Sequence, residues 1–506
     1  MHRRIESVAV LGGGDAGLLA ALCIRRLNPE LAVSVIDDFS EGTPQVGKST
    51  YKKITELLHS FLDLNEQSFI EEVKPIWKGS VHFTDWCGYR PFHFPFDTPT
   101  KFPQLHDDRS VEHYALFYHE LADSPEHLTT GEAIVEQRTS PMFYDPASGQ
   151  YDRYQHVAYH LDVHRFNGYL RDRCRERNID LVDDRIEAVD VDGDLVTALQ
   201  GEADTYSADL YIDASGFARR IRNKLPGDYR EFPIPLDAAL VTQLPLDLRD
   251  VEPATVVESG EFGWFWQIDT FDHRDVGYVF ASDYVEESDA RREFVEHLDG
   301  AVEPDTFTRY NFDSGYYPNP WVGNCVSIGN AEGFVEPLQS TGLTVNGWAA
   351  QILSRIIAAS GGWYDEVVAG TYNEWVSRLW ESVFDFVHVH YLCGRGESAF
   401  WQDVTTMEPS PRIGRLFELF DHRGFAHDIN PLENDPDVLN TLVFSPPHFY
   451  LIMRNMRVES AFYEACDIEI SDEVRQAQQR QYGDMQRDVE GYLTVEELYR
   501  GVLELA

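Results

Sequence analysis

The sequence predicts an α/β protein, and three observations carry that prediction. First, the apolar run Val8–Leu11 meets Gly12-Gly13-Gly14. Apolar residues at helical spacing follow over Leu18–Leu27, and a second β-like run, Val33–Ile36, ends at Asp37. That order is strand, glycine turn, helix, strand, a βαβ unit. Second, short strand-like runs alternate with acidic turns up to residue 240 and again over roughly 255–285. Third, helical patterning dominates from 361 to 506, with interruptions near 394–412 and 428–447.

Each element has a physical reading in chain order. In Gly12-x-Gly14-x-x-Gly17, Gly12 permits the tight turn and Gly14 lets the backbone approach a pyrophosphate. Asp15 and Ala16 open the helix, and Gly17 lets helix and strand pack closely, with the helix N-terminus facing the phosphates. Asp37, at the end of the second strand, is placed to bind a ribose hydroxyl. This motif alone leaves FAD or NAD open. The polar loop Ser40–Thr50 carries Lys48 and Ser49, and residues 51–78 read as helical until Pro75. From 79 to about 160 the chain is rich in aromatics, Pro and His, with little clean periodicity. His164–Arg177 reads as an amphipathic helix, and Ile186 lies in the strand-like region beyond it as a candidate cofactor contact. Ala208–Gly216, ADLYIDASG, is a strand ending in Asp213, Ser215 and Gly216. Val326–Gly329 is another, followed by Asn330-Ala331, and Thr344–Ala359 reads as a helix. The reading divides the chain into 1–360, a nucleotide-binding module with an inserted β-rich substrate part, and 361–506, a mainly helical covering region. No repeat or low-complexity segment stands out.

Composition narrows the function classes. Of 506 residues 43% are hydrophobic and 13% aromatic, enough to bury a large core, which excludes disorder as a class. The formal net charge of −44 speaks against nucleic acid or an anionic membrane as a general partner, since both are polyanions. Only seven of the 42 basic residues are Lys. Few Lys among many acids suits a high-salt, halophilic cytoplasm, where screening mutes self-repulsion. The six Cys are scattered without a CxxC pair, which reads as a reduced interior and gives neither a disulfide framework nor a metal site. The start MHRRIESVAVLGGG is no signal peptide, and no stretch approaches the ~20 apolar residues of a membrane span. The expected location is cytoplasmic.

Three further segments point to one family. They are Gly263–Ile268, GWFWQI; Trp321–Gly342, WVGNCVSIGNAEGFVEPLQSTG; and Val46–Thr50, VGKST, followed by Trp77-Lys78. With the N-terminal GGGxAG, this set resembles the flavin-dependent halogenases of the tryptophan-halogenase type. His390–Trp401, HYLCGRGESAFW, is similar to that family's aromatic C-terminal segment. The resemblance covers residues 1 to about 405. It implies an FAD-binding Rossmann-like module of the GR2 flavin-monooxygenase type, and the strands ending at Gly216 and Gly329 resemble that module's later flavin-contacting segments. It implies reduced FAD supplied by a separate flavin reductase, oxygen, and chloride or bromide. Hypohalous acid then travels through a tunnel to a lysine that halogenates an aromatic small molecule. The runner-up is an FAD-dependent monooxygenase or oxidase on the same scaffold. A homodimer is left open.

The resemblance also assigns roles. Lys78 matches the catalytic lysine, and the composition adds to this, because a Lys kept where Arg is the default is a candidate for chemistry. Gln339 stands where the family pattern EPLEST has Glu; it hydrogen-bonds but cannot act as a base. Glu336 fits the loop's structural acid. Thr341 and Gly342 match the backbone that cradles the halide, with Leu338 and Leu343 against the flavin. Lys48 replaces the acid usual in GEST, while Ser49 and Thr50 match. Trp264 and Trp266, spaced to share one strand face, match the pair that shields the flavin; Asp269 replaces a Pro that often closes their motif. His93, Phe94, Phe449 and Tyr450 are the substrate-side candidates, since aromatic walls suit a flat, π-rich substrate.

Overall fold

A computed structural model of the chain describes residues 3–40, 47–97, 129–423, 443–444, 446–462 and 471–502. Along the chain, β1 (Ser7–Leu11), α1 (Asp15–Leu27) and β2 (Ala32–Asp37) form the expected opening unit. The short β3 (Lys48–Ser49), α2 (Glu66–Val73), β4 (Ile76–Lys78), β5 (Ser80–Asp85) and β6 (Phe92–Pro95) follow. Next come α3 (Thr130–Glu136), entered through a Thr129/Glu132 capping box, β7 (Ala158–Leu161) and α4 (Val163–Glu176). After these lie β8 (Asp180–Asp183), the hairpin β9 (Ile186–Asp192) and β10 (Leu195–Gly201), and β11 (Leu210–Asp213). β12 (Ala238–Pro245), β13 (Ala254–Ser259), β14 (Gly263–Asp269), β15 (His273–Phe280), α5 (Glu287–His297) and β16 (Thr308–Asn311) build the middle of the chain. β17 (Trp321–Val322), β18 (Cys325–Ser327), α6 (Gly342–Ala359), α7 (Glu366–Leu392), α8 (Ala399–Thr405), α9 (Pro411–Arg423), α10 (Pro446–Asn455) and α11 (Asp472–Val489) complete it.

These elements gather into two compact units. The first takes Met1–Pro75, Leu161–Pro233 and Asn311–Glu381; the second takes Ile76–His160, Ile234–Tyr310 and Ser382–Ala506. The division expected after residue 360 is therefore replaced by one that cuts the chain several times. The reason is topological: each sheet recruits strands from well-separated stretches, which a linear reading of composition does not register.

In the first unit a six-stranded sheet has the order β8-β2-β1-β11-β18-β17, parallel except for the last pair. Its strands read as continuous apolar runs because helices cover a parallel sheet; β1 has four consecutive buried residues. α1 packs with α6 and α4, and Leu18 to Ile24 of α1 are fully buried. β1 lies between β2 and β11, so the connections leave it in opposite directions. That is a topological switch point, and a ligand is expected beyond the carboxyl ends of the strands there.

In the second unit a seven-stranded sheet has the order β16-β12-β15-β14-β13-β5-β6. β12–β15, β15–β14, β14–β13 and β5–β6 pair antiparallel, and β13 pairs parallel with β5. α5 lays Ala290 and Phe294 on Leu240, Phe265, Tyr278 and Phe280, a fully apolar cluster. β4 pairs antiparallel with β7. The last third of the chain carries the expected helices and, among the described residues, two unforeseen short strands: Trp363–Tyr364, and Tyr492–Thr494, which pairs with Thr139–Asp145 and stacks Tyr492 on Phe143 at 5.1 Å.

No helix among the described residues is long and apolar enough to cross a membrane. Cys23, Cys87, Cys174, Cys325 and Cys393 are free thiols, and Cys466 lies outside the described residues.

Candidate functional site

The glycine turn of the first unit is built as its spacing requires. Gly12 has φ +116°, and a Cβ there would strike the carbonyl oxygen of Ala214, which follows β11. A Cβ at Gly17 would strike the Gly12 carbonyl. At Gly14, the residue before α1, a Cβ would meet nothing within 4 Å, so the positive end of the helix is open. Gly329 has φ +75°, and a Cβ on it would come within 2.8 Å of Ala16 Cβ, which explains small residues at both places.

Two acids hold this framework rather than standing apart from it. Asp37 Oδ2 accepts the Gly13 N–H at 2.8 Å, tying the end of β2 to the turn. Asp213 accepts from the Ser215 amide and hydroxyl with Oδ1, and from the Ile221 and Arg222 amides with Oδ2, at 2.6–3.0 Å. Its carboxylate is spent on positioning the loop of Gly216, which has φ +66°. Ile186 is a core residue beside Ala9, Leu11, Ile36 and Tyr211. Asp15, the first residue of α1, is buried and ion-paired with Lys48.

The loop before α6 follows. Leu338 and Gln339 are buried, and Ser340 takes φ +56°, an unusual conformation for a residue with a side chain. The Ser340 hydroxyl donates to the Ser49 hydroxyl at 2.8 Å, which links this loop to β3. Thr341 is the N-cap of the 18-residue α6 without a side-chain capping bond, and Gly342 is its first residue. Backbone N–H groups at a helix start suit an anion. Leu343 is buried behind them.

Sequence reasoning missed two residues here. Thr344 Oγ1 and Asn346 Oδ1, in the first turns of α6, are buried without a hydrogen-bond partner in the chain. The Asn346 amide nitrogen lies 3.7 Å from the position of a Cβ on Gly329. The available signal was polarity within an otherwise apolar helix. Glu332 is a third: its carboxylic acid is buried, burial raises its pKa well above the usual range, and the Trp380 indole N–H donates to it at 2.6 Å.

The second unit holds the lysine. Lys78 ends β4 with no exposed surface, and its Nζ lies 5.2 Å from the centroid of the Phe96 ring. Desolvation pushes its ammonium pKa well below the ordinary value. In the β4–β7 ladder Ala158 opposes Lys78 and His160 opposes Ile76. Lys78 and His160 are therefore diagonal neighbours on one face. His160 Nδ1 faces the Asp269 carbonyl at 3.1 Å, so that nitrogen carries the proton; Nε2 accepts from the Thr255 hydroxyl at 2.9 Å. Burial pushes the His160 pKa well below its ordinary value, and a proton on Lys78 would lower it further. Asp269, the residue in place of Pro, is buried and paired with Arg274 at 2.7 and 2.8 Å.

Trp264 and Trp266 share one face of β14, both buried. Gly277 of β15 opposes Trp266, and a Cβ there would strike the indole. Phe265, on the opposite face, stacks on His297 at 3.9 Å.

Alternation along β6 divides the substrate-side candidates. Phe94 packs on Phe386 at 5.1 Å, and so does Phe449 of α10 at 5.0 Å, with Phe444 and His448 completing an aromatic cluster. Tyr450 faces elsewhere and stacks on Phe420. His93 joins Ser80 through Nδ1 and Glu136 through Nε2, both at 2.9 Å, and stacks on His82 at 4.1 Å with 18° between the rings. His82, His93 and Glu136 are close enough to share an ion. The rings are nearly parallel, however, and an imidazole ligates in its own plane, so this arrangement serves stacking and hydrogen bonding.

The profile of the family described as Tryptophan halogenase matches residues 7–466. The chain belongs to the tryptophan halogenase family. The tryptophan 6-halogenase SttH of Streptomyces toxytricini is 28% identical over 434 residues, 80% of this chain and 82% of that protein. The tryptophan 7-halogenase RebH of Lentzea aerocolonigenes is 27% identical over 431 residues, 79% of each. BrvH, a flavin-dependent halogenase from Brevundimonas sp. BAL3, shares the fold with a TM-score of 0.81 at 23% identity, covering 99% of both chains.

This tryptophan halogenase fold is thus an enzyme scaffold that uses FAD and a halide. The residues fit the cofactor: the open end of α1 at Gly14 suits a diphosphate, and Thr344 and Asn346 in the first turns of α6 offer buried polar atoms with no partner in the chain. Gly12, Gly14, Asp15, Ala16, Gly17, Asp37, Lys48, Ser49, Gly216, Gly329, Leu338 and Leu343 all belong to the first unit, as do Thr341 and Gly342. Lys78, the Trp pair and the substrate-side candidates belong to the second.

Proposed function

We propose that this chain halogenates an aromatic small molecule, with Lys78 as the residue that transfers the halogen. The observation that carries the proposal is the wholly buried Lys78 amine, whose pKa is held well below its usual value. A lysine at its ordinary pKa is protonated near neutrality and has no lone pair to offer.

Reduced FAD, delivered by a separate reductase, supplies with oxygen the electrons and oxygen atom that convert chloride or bromide into hypohalous acid. The chain's residues do the rest. The N–H groups at Thr341 and Gly342 hold the halide at the positive end of α6. Burial favours the unprotonated form of Lys78, and in that form its amine takes the halogen from hypohalous acid, giving a haloamine and releasing water. The substrate ring then takes the halogen from the nitrogen, and the ring proton returns to the amine, so atoms balance. Gln339 does not serve as the base; it orients by hydrogen bonding, which suits electron-rich indoles, phenols or pyrroles. Trp264 and Trp266 keep the substrate from direct oxygenation.

The test is a screen of those ring classes with reduced FAD, oxygen and chloride or bromide, read by isotope pattern. Halogenated product, lost in Lys78→Ala, is expected. The second reading, a monooxygenase or oxidase, is motivated by Gln339. Hydroxylated product or bare peroxide in place of halogenation establishes it instead.

A further inference from the structure

Lys48 reverses the charge that its motif usually carries, and the structure supplies its partner. Its ammonium pairs with Asp15, with Lys48 37% exposed at the side chain and Asp15 only 8%. Asp15 is the first residue of α1 and follows the open position Gly14. Its carboxylate therefore stands at the positive end of the helix, the potential a diphosphate also uses. An acid there repels a bound diphosphate, and screening is weak because the group is buried. Lys48 offsets this, since the pair has no net charge.

We propose that the Asp15–Lys48 pair sets FAD affinity through two opposed terms: Asp15 loosens the grip on the diphosphate and Lys48 restores it. This deepens the reading of the glycine turn as the FAD site, and rests on it. A cofactor that is recharged by a separate reductase must leave after each turnover. A resident acid at the phosphate end favours that release, while the paired lysine prevents outright exclusion. Because the pair is neutral, its contribution changes little with salt.

The experiment measures FAD binding to the full chain by flavin fluorescence quenching, from about 0.1 to 2 M KCl. The proteins are the wild type, Asp15→Asn, Lys48→Gln and the double variant, with Asp15→Ser as a second neutral replacement suited to a helix start. Asp15→Asn and Asp15→Ser should each tighten binding about tenfold, equivalent to ~1.4 kcal/mol. In both, affinity should fall more steeply with salt than in the wild type, because an unpaired cation then faces the phosphates. Lys48→Gln should weaken binding by a similar factor, with little relief from salt because Asp15 is buried. The double variant should return near the wild type. Binding by Asp15→Asn and Asp15→Ser that is unchanged or weaker overturns the proposal, as does a Lys48→Gln variant of wild-type affinity. A wild type that binds no FAD overturns the FAD reading itself, a result distinct from both.

Discussion

Lys78 is wholly buried, and desolvation pushes its ammonium pKa well below the ordinary value. Two substitutions separate charge from proton transfer capacity. Lys78→Met should reduce halogenation at least about 100-fold, the scale on which positioned proton and nucleophile groups act. Lys78→Arg should fail equally, because guanidinium stays protonated and has no lone pair at working pH. Quantified halogenated product checks both, and an active Arg variant would mean that a cation alone suffices. The wild-type rate should fall on the acid side as the amine takes its proton. His160, its diagonal neighbour, has a pKa that burial lowers well below its ordinary value.

At the scale of elements, the β14–β15 pair leaves no room for a side chain at Gly263 or Gly277. Gly277→Val would push its side chain into the Trp266 indole. The expected cost is about 1–3 kcal/mol, seen as a lower melting temperature. α7 gives a second prediction. Burial pushes His388 and His390 down to about 4. Unfolded imidazoles titrate near 6.5, so the unfolded chain binds more protons between the two values. This contribution to stability is whole above pH ~6.5 and is lost as pH falls towards 4. His388→Leu should flatten the pH dependence of unfolding free energy by up to about 1.4 kcal/mol per pH unit in that window; an unchanged slope sinks the assignment. Elements also show what a sequence displays and what it hides. The βαβ opening was legible because Gly12 and Gly17 are required by local sterics, while Gly14 leaves the helix start open. The Tyr492–Thr494 strand was not, since three residues carry no period and its partner is Thr139–Asp145, far off in the chain. Asp15 and Lys48 were each visible as residues, but their pairing is a tertiary fact. His93 and Phe94 read as one segment, yet strand alternation sends them to different clusters.

For the whole molecule, the charge of −44 is the governing quantity. Acids outnumber basic residues 86 to 42, so most surface acids have no cation to pair with, and the folded state pays for confining them. Salt shortens the range of that repulsion from ~10 Å at 0.1 M to ~3 Å at 1 M. The melting temperature should therefore rise by about 5–10 °C between 0.1 and 2 M potassium salt, with most of the gain below 1 M, where the screening length changes most. Two salts separate stability from turnover. Potassium chloride and potassium glutamate screen alike, so both should stabilise the chain. Only the chloride salt supplies a halide, so on the proposed function only it should support product formation. A melting temperature that ignores both salts would show that the acids are spaced widely enough to be neutral bystanders. Stabilisation by chloride but not glutamate would point instead to specific halide binding as the source of the effect.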